Sequence, residues 1–396
     1  MEDPSERSDH AFETEAVHAG EEPDLGPGGT GDLVSPIHLS STFAMDEAGD
    51  PSHGYKYSRL GNPTREALEH RVAALSDAEH AMTFASGMAA IATTCLSVLG
   101  SGDHVVAFDG IYGGTKVFFD DYLTEHFDVT VDYVDATDTD VVADAVTPET
   151  ALFWMESPTN PLLKLCDIEA IGGIADRHGA RLVVDNTFAT PYFQRPLALG
   201  ADVSVYSTTK YLNGHTDSIG GAVVTNDDGL AEQVRFVQEY ALGAMLSPFD
   251  CYLVLRGSKT LPLRMRQHEA NAKRVANYLS EHEKVTTVHY PGLDTHPGHD
   301  LATRQMDGFG GVVSFEIDGG AAEARAFVES LDLFTLAVSL GSVESLIEHP
   351  ASMSASYVPE EERLASGITD SLIRAPIGTE SADDLIADLE RGLGYL

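Results

Sequence analysis

From about residue 80 onward, short apolar runs of four or five residues alternate with stretches of helical period. The runs fall at 81–84, 104–108, 151–155, 181–185, 201–205 and 220–224, rich in Val, Leu and Phe and bounded by Gly, Pro, Asp or Asn. Runs this short, with charges only at or next to their ends, read as buried strands. Between them lie helical segments such as 168–178, and Pro63 opens an earlier helix through Leu68, Val72 and Leu75, proline suiting its first turn. The alternation predicts an α/β fold, a mainly parallel sheet covered by helices on both faces, with functional residues beyond the strand ends.

The pattern changes near residues 245–260. Helices are expected at 253–264, 269–282, 321–331 and 383–393, and a strand at 311–317, which together read as a smaller α+β unit. Before the sheet, residues 21–32 carry glycine, proline and acid without periodicity and read as loop or partly disordered chain. The expected division is an N-terminal arm (1–56), an α/β domain (57–250) and a C-terminal α+β domain (251–396).

Charge changes the picture more than hydropathy does. The 396 residues hold 63 acids against 24 bases, a net charge of -39, with the acids spread through the chain. A distributed excess is what a surface adapted to concentrated salt requires, because salt screens self-repulsion. The expectation is a halophile cytoplasm, and the charge argues against nucleic acid and anionic membrane as partners. The segment Met1–Asp9 is polar and acidic, unlike a secretory leader, and the longest apolar stretch, 84–99, is too short and too polar to span a bilayer. Three cysteines, Cys95, Cys166 and Cys251, have no metal spacing and suit a reducing compartment. His289, His296 and His299 match no zinc pattern, so no metal is expected.

Lysine is scarce: the chain has seven, and one follows the run 201–205 in Tyr206-Ser207-Thr208-Thr209-Lys210. At the mouth of a buried strand, desolvation drives an ammonium toward its neutral, nucleophilic form. The hydroxyls of Ser207 and Thr209 can hold a phosphate, so the stretch fits an aldehyde-phosphate cofactor held as an imine on Lys210. An ordinary surface lysine is the alternative. A second is the Tyr-x-x-x-Lys pair of short-chain dehydrogenases at Tyr206 and Lys210, which needs a helix and a glycine-rich dinucleotide turn.

Asp185 ends the run 181–185, where a carboxylate stays charged only beside a cation such as a protonated pyridine nitrogen; capping a turn with Asn186 is the equal alternative. Ser86-Gly87-Met88 opens a helix whose first N–H groups can bind phosphate or simply be capped by Ser86. Tyr112, before Gly113-Gly114, can stack on a flat ring or pack in its loop, and Arg59, near Tyr57, can fork a phosphate or make a surface ion pair. Two prolines in Ser157-Pro158-Thr159-Asn160-Pro161 fix the loop that carries Asn160.

Taken in order, Tyr57-Ser58-Arg59-x-Gly61-Asn62-Pro63-Thr64, Ser86-Gly87-Met88, Tyr112-Gly113-Gly114, Ser157 to Pro161, Val184-Asp185-Asn186-Thr187-Phe188 and Lys210-Tyr211-Leu212-Asn213-Gly214-His215 resemble the Cys/Met-metabolism, or trans-sulfuration, family of pyridoxal-phosphate enzymes. The resemblance runs from about Thr14 to the C-terminus. It implies fold type I and pyridoxal 5'-phosphate carried by Lys210, with Asp185 on the pyridine nitrogen. Gly87, Met88, Ser207 and Thr209 are implied as the phosphate cup, and Tyr57 and Arg59 as phosphate contacts supplied to a neighbouring subunit. The active unit is then at least a dimer, and the resemblance implies a homotetramer with shared sites, the family's usual state. The resemblance further implies that Tyr112 stacks on the cofactor and aids proton transfer and that Asn160 lies near the ring hydroxyl. Arg374 would take the substrate α-carboxylate, with Ser339 and Glu344 beside it.

Within the family, Gly114 stands where methionine γ-lyases generally carry cysteine, and Ser339-Leu340-Gly341 resembles the γ-synthase and γ-lyase branches. Thr147-Pro148-Glu149-Thr150, Pro191 to Leu197 and Ser247 to Tyr252 lean toward cystathionine γ-lyase. The alternative is γ-replacement, as cystathionine γ-synthase or an O-acyl-homoserine sulfhydrylase. One departure stands out: Met353-Ser354-Ala355-Ser356 replaces the usual Met-Thr-His-Ala.

Overall fold

The computed structural model describes residues 10–26, 29–356 and 358–395, so the polar segment 1–9 lies outside the described residues. Seven strands form the larger sheet: β1 (His80–Phe84), β2 (His104–Phe108), β3 (Thr130–Val134), β4 (Thr150–Glu156), β5 (Arg181–Asp185), β6 (Val203–Tyr206) and β7 (Gly221–Thr225). Their order is β1-β7-β6-β5-β4-β2-β3. From β6 to β3 every pair is parallel, and β7 alone runs against its neighbours β6 and β1. The run at 220–224 is therefore the antiparallel element of a mainly parallel sheet. β3 was not anticipated from the hydropathy: at the sheet edge it alternates exposed and half-buried positions, so Asp132 and Thr130 interrupt the apolar run.

Side-chain alternation divides the sheet between two cores. Met82, Phe84, Val203, Val205 and Val223 enter one, with Ile91 and Cys95 of the helix Gly87–Val98 and Ile168, Ile171 and Ile174 of the helix Ile168–His178. Their neighbours Ala81, Tyr206, Ala222 and Val224 enter the other, against Leu68, Val72 and Leu75 of the helix Pro63–Leu75. Period-two alternation on strands that are buried on both faces produces this division.

C-terminal to the sheet, the helix Leu261–Glu281 connects two packing regions: Leu261 and Met265 join the second core, while Ala272, Val275, Ala276 and Leu279 enter a third. The expected helices 253–264 and 269–282 are corrected here to Pro248–Ser258 and Leu261–Glu281. The polar run Arg264 to His268 looks like a break but is helical. Arg264 is buried and donates to the carbonyls of Tyr211, Leu212 and Gly257. The third core lies against an antiparallel sheet of β8 (Val285–His289) and β9 (Val312–Ile317), whose other neighbour is β12 (Leu372–Pro376). Between β9 and β12 in the chain, β10 (Thr335–Leu336) pairs in parallel with β11 (Leu346–Ile347).

The arm is tied to this body. Arg71, wholly buried, donates to the carbonyls of Ala16, Val17 and Ala19 and pairs with Glu21, which also meets Lys259 at 2.8 Å. Glu21 further accepts the Ser35 N–H, and Thr64 donates to Pro36 O, so both sides of the 21–32 loop are anchored.

Candidate active site

The carboxyl ends of β4, β5 and β6 deliver Glu156, Asp185 and the turn 207–210 to one edge of the sheet, with Glu156 opposite Asp185 and Asp185 opposite Val205 in register. From the other side comes β12, where Arg374 pairs with Ser314; the buried Ser314 hydroxyl donates to Pro161 O and joins the two sheets at this loop.

Lys210 Nζ donates to Ser339 Oγ at 2.7 Å. Burial first, and the Arg374 guanidinium second, pull the Lys210 ammonium down to about 8, against an opposing pull from Glu348. Ser339 holds a left-handed backbone (φ 95°), an uncommon conformation for a residue with a side chain. Its neighbour Gly341 presses on the lysine's own backbone: a Cβ there would lie 2.5 Å from Tyr211 N and 2.8 Å from Lys210 C. Only glycine permits this approach. Ser339 O accepts from Arg374 Nη2 (2.7 Å), and Arg374 Nη1 donates to Asn160 Oδ1 (2.8 Å). Lys210, Ser339, Arg374 and Asn160 thus form one chain of contacts.

Asp185 is buried, takes the Thr187 N–H at 3.0 Å and has no ion-pair partner among the described residues; burial raises its carboxyl above the usual range, against the Thr187 hydrogen bonds. Tyr112 and Asn160 are both held by Glu156, whose Oε2 accepts the Tyr112 N–H (2.7 Å) and whose Oε1 accepts the Asn160 N–H (3.1 Å). The Tyr112 ring is half exposed and lies over Gly114, where a Cβ would come within 2.5 Å of it and 3.1 Å of Met88 Sδ.

Gly87 and Ser207 converge, a Cβ at Gly87 standing 3.2 Å from Ser207 Cβ and Oγ. Ser86 caps the helix by accepting the Ala89 N–H, leaving the N–H groups of Gly87 and Met88 in its first turn without intrahelical acceptors. The Thr209 hydroxyl is engaged with Gly220, accepting its N–H and donating to its carbonyl. Tyr57 and Arg59 stand apart: Arg59 donates to Glu239 O and lies over the Tyr57 and Tyr240 rings, with no contact to Lys210 or Asp185.

Glu344 is exposed and bonded to Ser342. The acid that reaches Arg374 is Glu348, 3.1 Å from Nε and wholly buried. Reading the chain missed Glu156 and Glu348; the signal for both was an acid at the end of an apolar run, the same one that marked Asp185. Tyr206 lies in β6 with its ring buried, not on a helix, so the dehydrogenase pairing with Lys210 is absent. His289 faces Glu316, and His299 contacts Pro291 O.

Residues 13–394 match the family model described as Cys/Met metabolism PLP-dependent enzyme. The chain belongs to this family. It is 49% identical over 383 residues to a cystathionine gamma-lyase of Mus musculus, covering 96% of this chain and 95% of the mouse protein. It is 48% identical over 381 residues to a cystathionine gamma-synthase of Mycobacterium tuberculosis, covering 96% of each. Its fold superposes with a TM-score of 0.92 on the crystal structure of cystathionine gamma-lyase from Lactobacillus plantarum complexed with L-serine, at 43% identity over 97% of this chain and 99% of that one.

As a Cys/Met metabolism PLP-dependent enzyme, the protein uses pyridoxal phosphate, and the residues present fit that group. Asp185 is a buried acid without a cationic partner among the described residues, the partner a protonated pyridine nitrogen supplies. The free N–H groups of Gly87 and Met88 beside Ser207 form a concave end suited to a phosphate. No helix among the described residues is long and apolar enough to cross a membrane.

Proposed function

We propose that the protein is a cystathionine γ-lyase, cleaving cystathionine with water to cysteine, 2-oxobutanoate and ammonia. One observation carries the reading of the site: Ser339 receives the Lys210 amine on its hydroxyl and the Arg374 guanidinium on its carbonyl. A base and a carboxylate-binding group are thereby held at fixed separation, as proton removal from the α-carbon of an amino acid requires.

Arg374 takes the α-carboxylate, steadied by Asn160 and Ser339. Pyridoxal phosphate, when bound, supplies the sink for the electron pair left at Cα. Asp185 keeps the ring nitrogen protonated, Tyr112 covers the ring, and Gly87, Met88, Ser207 and Thr209 hold the phosphate, with Thr209 exchanging its Gly220 bonds for it. Lys210, poised near neutrality, removes the Cα proton as a neutral amine. A Cβ proton follows; one of the two protons leaves with the γ-sulfur as the thiol of cysteine, the other returns to the former Cγ to make its methyl group, and hydrolysis of the four-carbon remainder gives 2-oxobutanoate and ammonia.

Tyr57 and Arg59 serve the site of a second copy, in a homotetramer. Support comes from the exposed aromatic surface around them: Arg59 lies over Tyr57 and Tyr240, and Tyr240 stacks on Phe236, three rings that are each 43% or more exposed. The acidic surface supports a saline cytoplasm as the setting.

Identity to relatives does not rank lyase above synthase, at 49% against 48%. The test is an absorbance spectrum of the purified holoenzyme in high salt before and after L-cystathionine, with 2-oxobutanoate assayed. A changed spectrum with 2-oxobutanoate released supports the lyase. A protein inert until given an activated homoserine and cysteine is the synthase. Failure to bind pyridoxal phosphate at Lys210 overturns both.

A further inference from the structure

We propose that Glu348, braced by Ser354, is a positioning residue that sets the plane of the Arg374 guanidinium and so the affinity for a substrate carboxylate. The inference rests on reading Arg374 as the carboxylate-binding group.

The backbones of the two residues form an antiparallel bridge, with Glu348 N–H donating to Arg374 O (2.9 Å) and Arg374 N–H to Glu348 O (3.0 Å). Their side chains meet at 3.1 Å with Arg374 3% and Glu348 0% exposed. The guanidinium is therefore contacted from three parts of the chain: it donates hydrogen bonds to Asn160 from Nη1 and to Ser339 from Nη2, and it pairs by charge with Glu348 at Nε, 3.1 Å away without a hydrogen bond. Of these only Glu348 carries charge. A neutral amide and a carbonyl can orient a guanidinium, but they do not offset its desolvation, and burial does lower the proton affinity of Arg374 against the pull of Glu348. Five N–H donors are available on an arginine. Two are donated to Asn160 and Ser339, Nε–H faces Glu348 without a hydrogen bond, and the second hydrogens of Nη1 and Nη2 have no partner among the described residues. Those two are what an incoming carboxylate can use.

Ser354 fixes the brace. Its hydroxyl donates to Glu348 Oε1 at 2.8 Å, the same oxygen that faces Arg374, while Oε2 has no hydrogen-bond partner among the described residues. The segment Met353 to Ser356, where the chain departs from the usual family pattern, thus acts on the site through Glu348. Ser354 retains a hydroxyl where the usual pattern has threonine, so the brace survives the departure.

A buried ion pair could instead serve only the fold, and the test separates the two roles. The holoenzyme is titrated spectrophotometrically with L-norleucine, an amino acid without a γ-leaving group, and with n-pentylamine, which lacks only the carboxylate. The n-pentylamine dissociation constant divided by that of L-norleucine measures carboxylate binding. In Glu348→Gln the ratio falls by about tenfold or more, the scale of one charge-assisted contact, with n-pentylamine affinity unchanged. Ser354→Ala lowers it in the same sense and Ser354→Thr keeps it. Should Glu348→Gln fail to fold, Ser354→Ala carries the test. An unchanged ratio in folded variants, or an equal loss for both probes, overturns the inference while leaving Arg374 in place. A wild-type protein that does not prefer L-norleucine overturns the Arg374 reading itself.

Discussion

Glu156 and Asp185 end neighbouring parallel strands opposite one another, and both carboxyls are buried. Glu156 spends its two oxygens on the backbone of Tyr112 and Asn160, one residue on each side of the site. Burial first, then the charge of Asp185, push its carboxyl well above the usual range. The folded protein therefore holds a proton on Glu156 that the unfolded chain has released, so this group lowers stability as pH rises above the ordinary glutamate range toward its folded pKa. Glu156→Gln is permanently neutral but places an NH2 against one of the two N–H donors, which costs about 1–3 kcal/mol. In cofactor-free protein the variant melts below wild type at pH 5, and the gap narrows toward pH 9. A gap independent of pH would show that Glu156 exchanges no proton in this window.

Lys210 titrates with the opposite sign. Its ammonium is drawn down to about 8 in the fold, against about 10.4 for an unperturbed lysine. Between these values the unfolded chain binds the proton that the folded chain has lost, so this group's contribution to stability rises with pH from about 8 to 10. In cofactor-free protein the rate of reaction of Lys210 with free pyridoxal should rise with an apparent pKa near 8. Lys210→Ala abolishes that reaction and the pH-dependent gain, and turnover falls by about a thousandfold or more. A variant that keeps full turnover sinks the mechanism.

What the chain disclosed before folding follows from burial. β2, β4 and β5 are uninterrupted apolar runs because helices cover both sheet faces, and an acid or lysine at the end of such a run is conspicuous. Asp185 and Lys210 were found that way. β3 was hidden because an edge strand carries polar residues, and the start of the helix Leu261–Glu281 because Arg264 and His268 look like linker residues until their buried partners are known. Glu348 was passed over for Glu344, four residues earlier. The two acids flank β11, and only the bridge to Arg374 tells the buried one from the exposed one.

Arg59 and Lys210 lack any contact within one chain, and this gives the shared-site proposal a direct test. If Arg59 completes a neighbour's site, Arg59→Ala and Lys210→Ala each inactivate different halves of the same site. Dissociating and reassembling an equal mixture then creates hybrids with one site free of both substitutions. Random pairing returns about a quarter of wild-type activity, since half the dimers are hybrid and each restores one site of two. A mixture as inactive as its components would place Arg59 and Lys210 in the same chain's site.

The charge excess sets the salt response. With 63 acids and 24 bases, most acids cannot find a basic partner, so repulsion among them outweighs the ion pairs that do form. Pairs such as Arg274–Asp383 and Arg266–Glu13 are about half exposed or more, and contacts of that kind contribute little. Raising ionic strength from 0.1 M to 1 M shortens the screening length from about 10 Å to about 3 Å. Both terms weaken, but the repulsive one is larger and the folded state, where the acids are closest, gains. Melting temperature should therefore climb from 0.1 to 3 M KCl, and most of the gain below 1 M should appear equally in NaCl, because screening depends on ionic strength rather than on the ion. A melting temperature that falls with salt would mean that the ion pairs, not the unpaired acids, govern this surface.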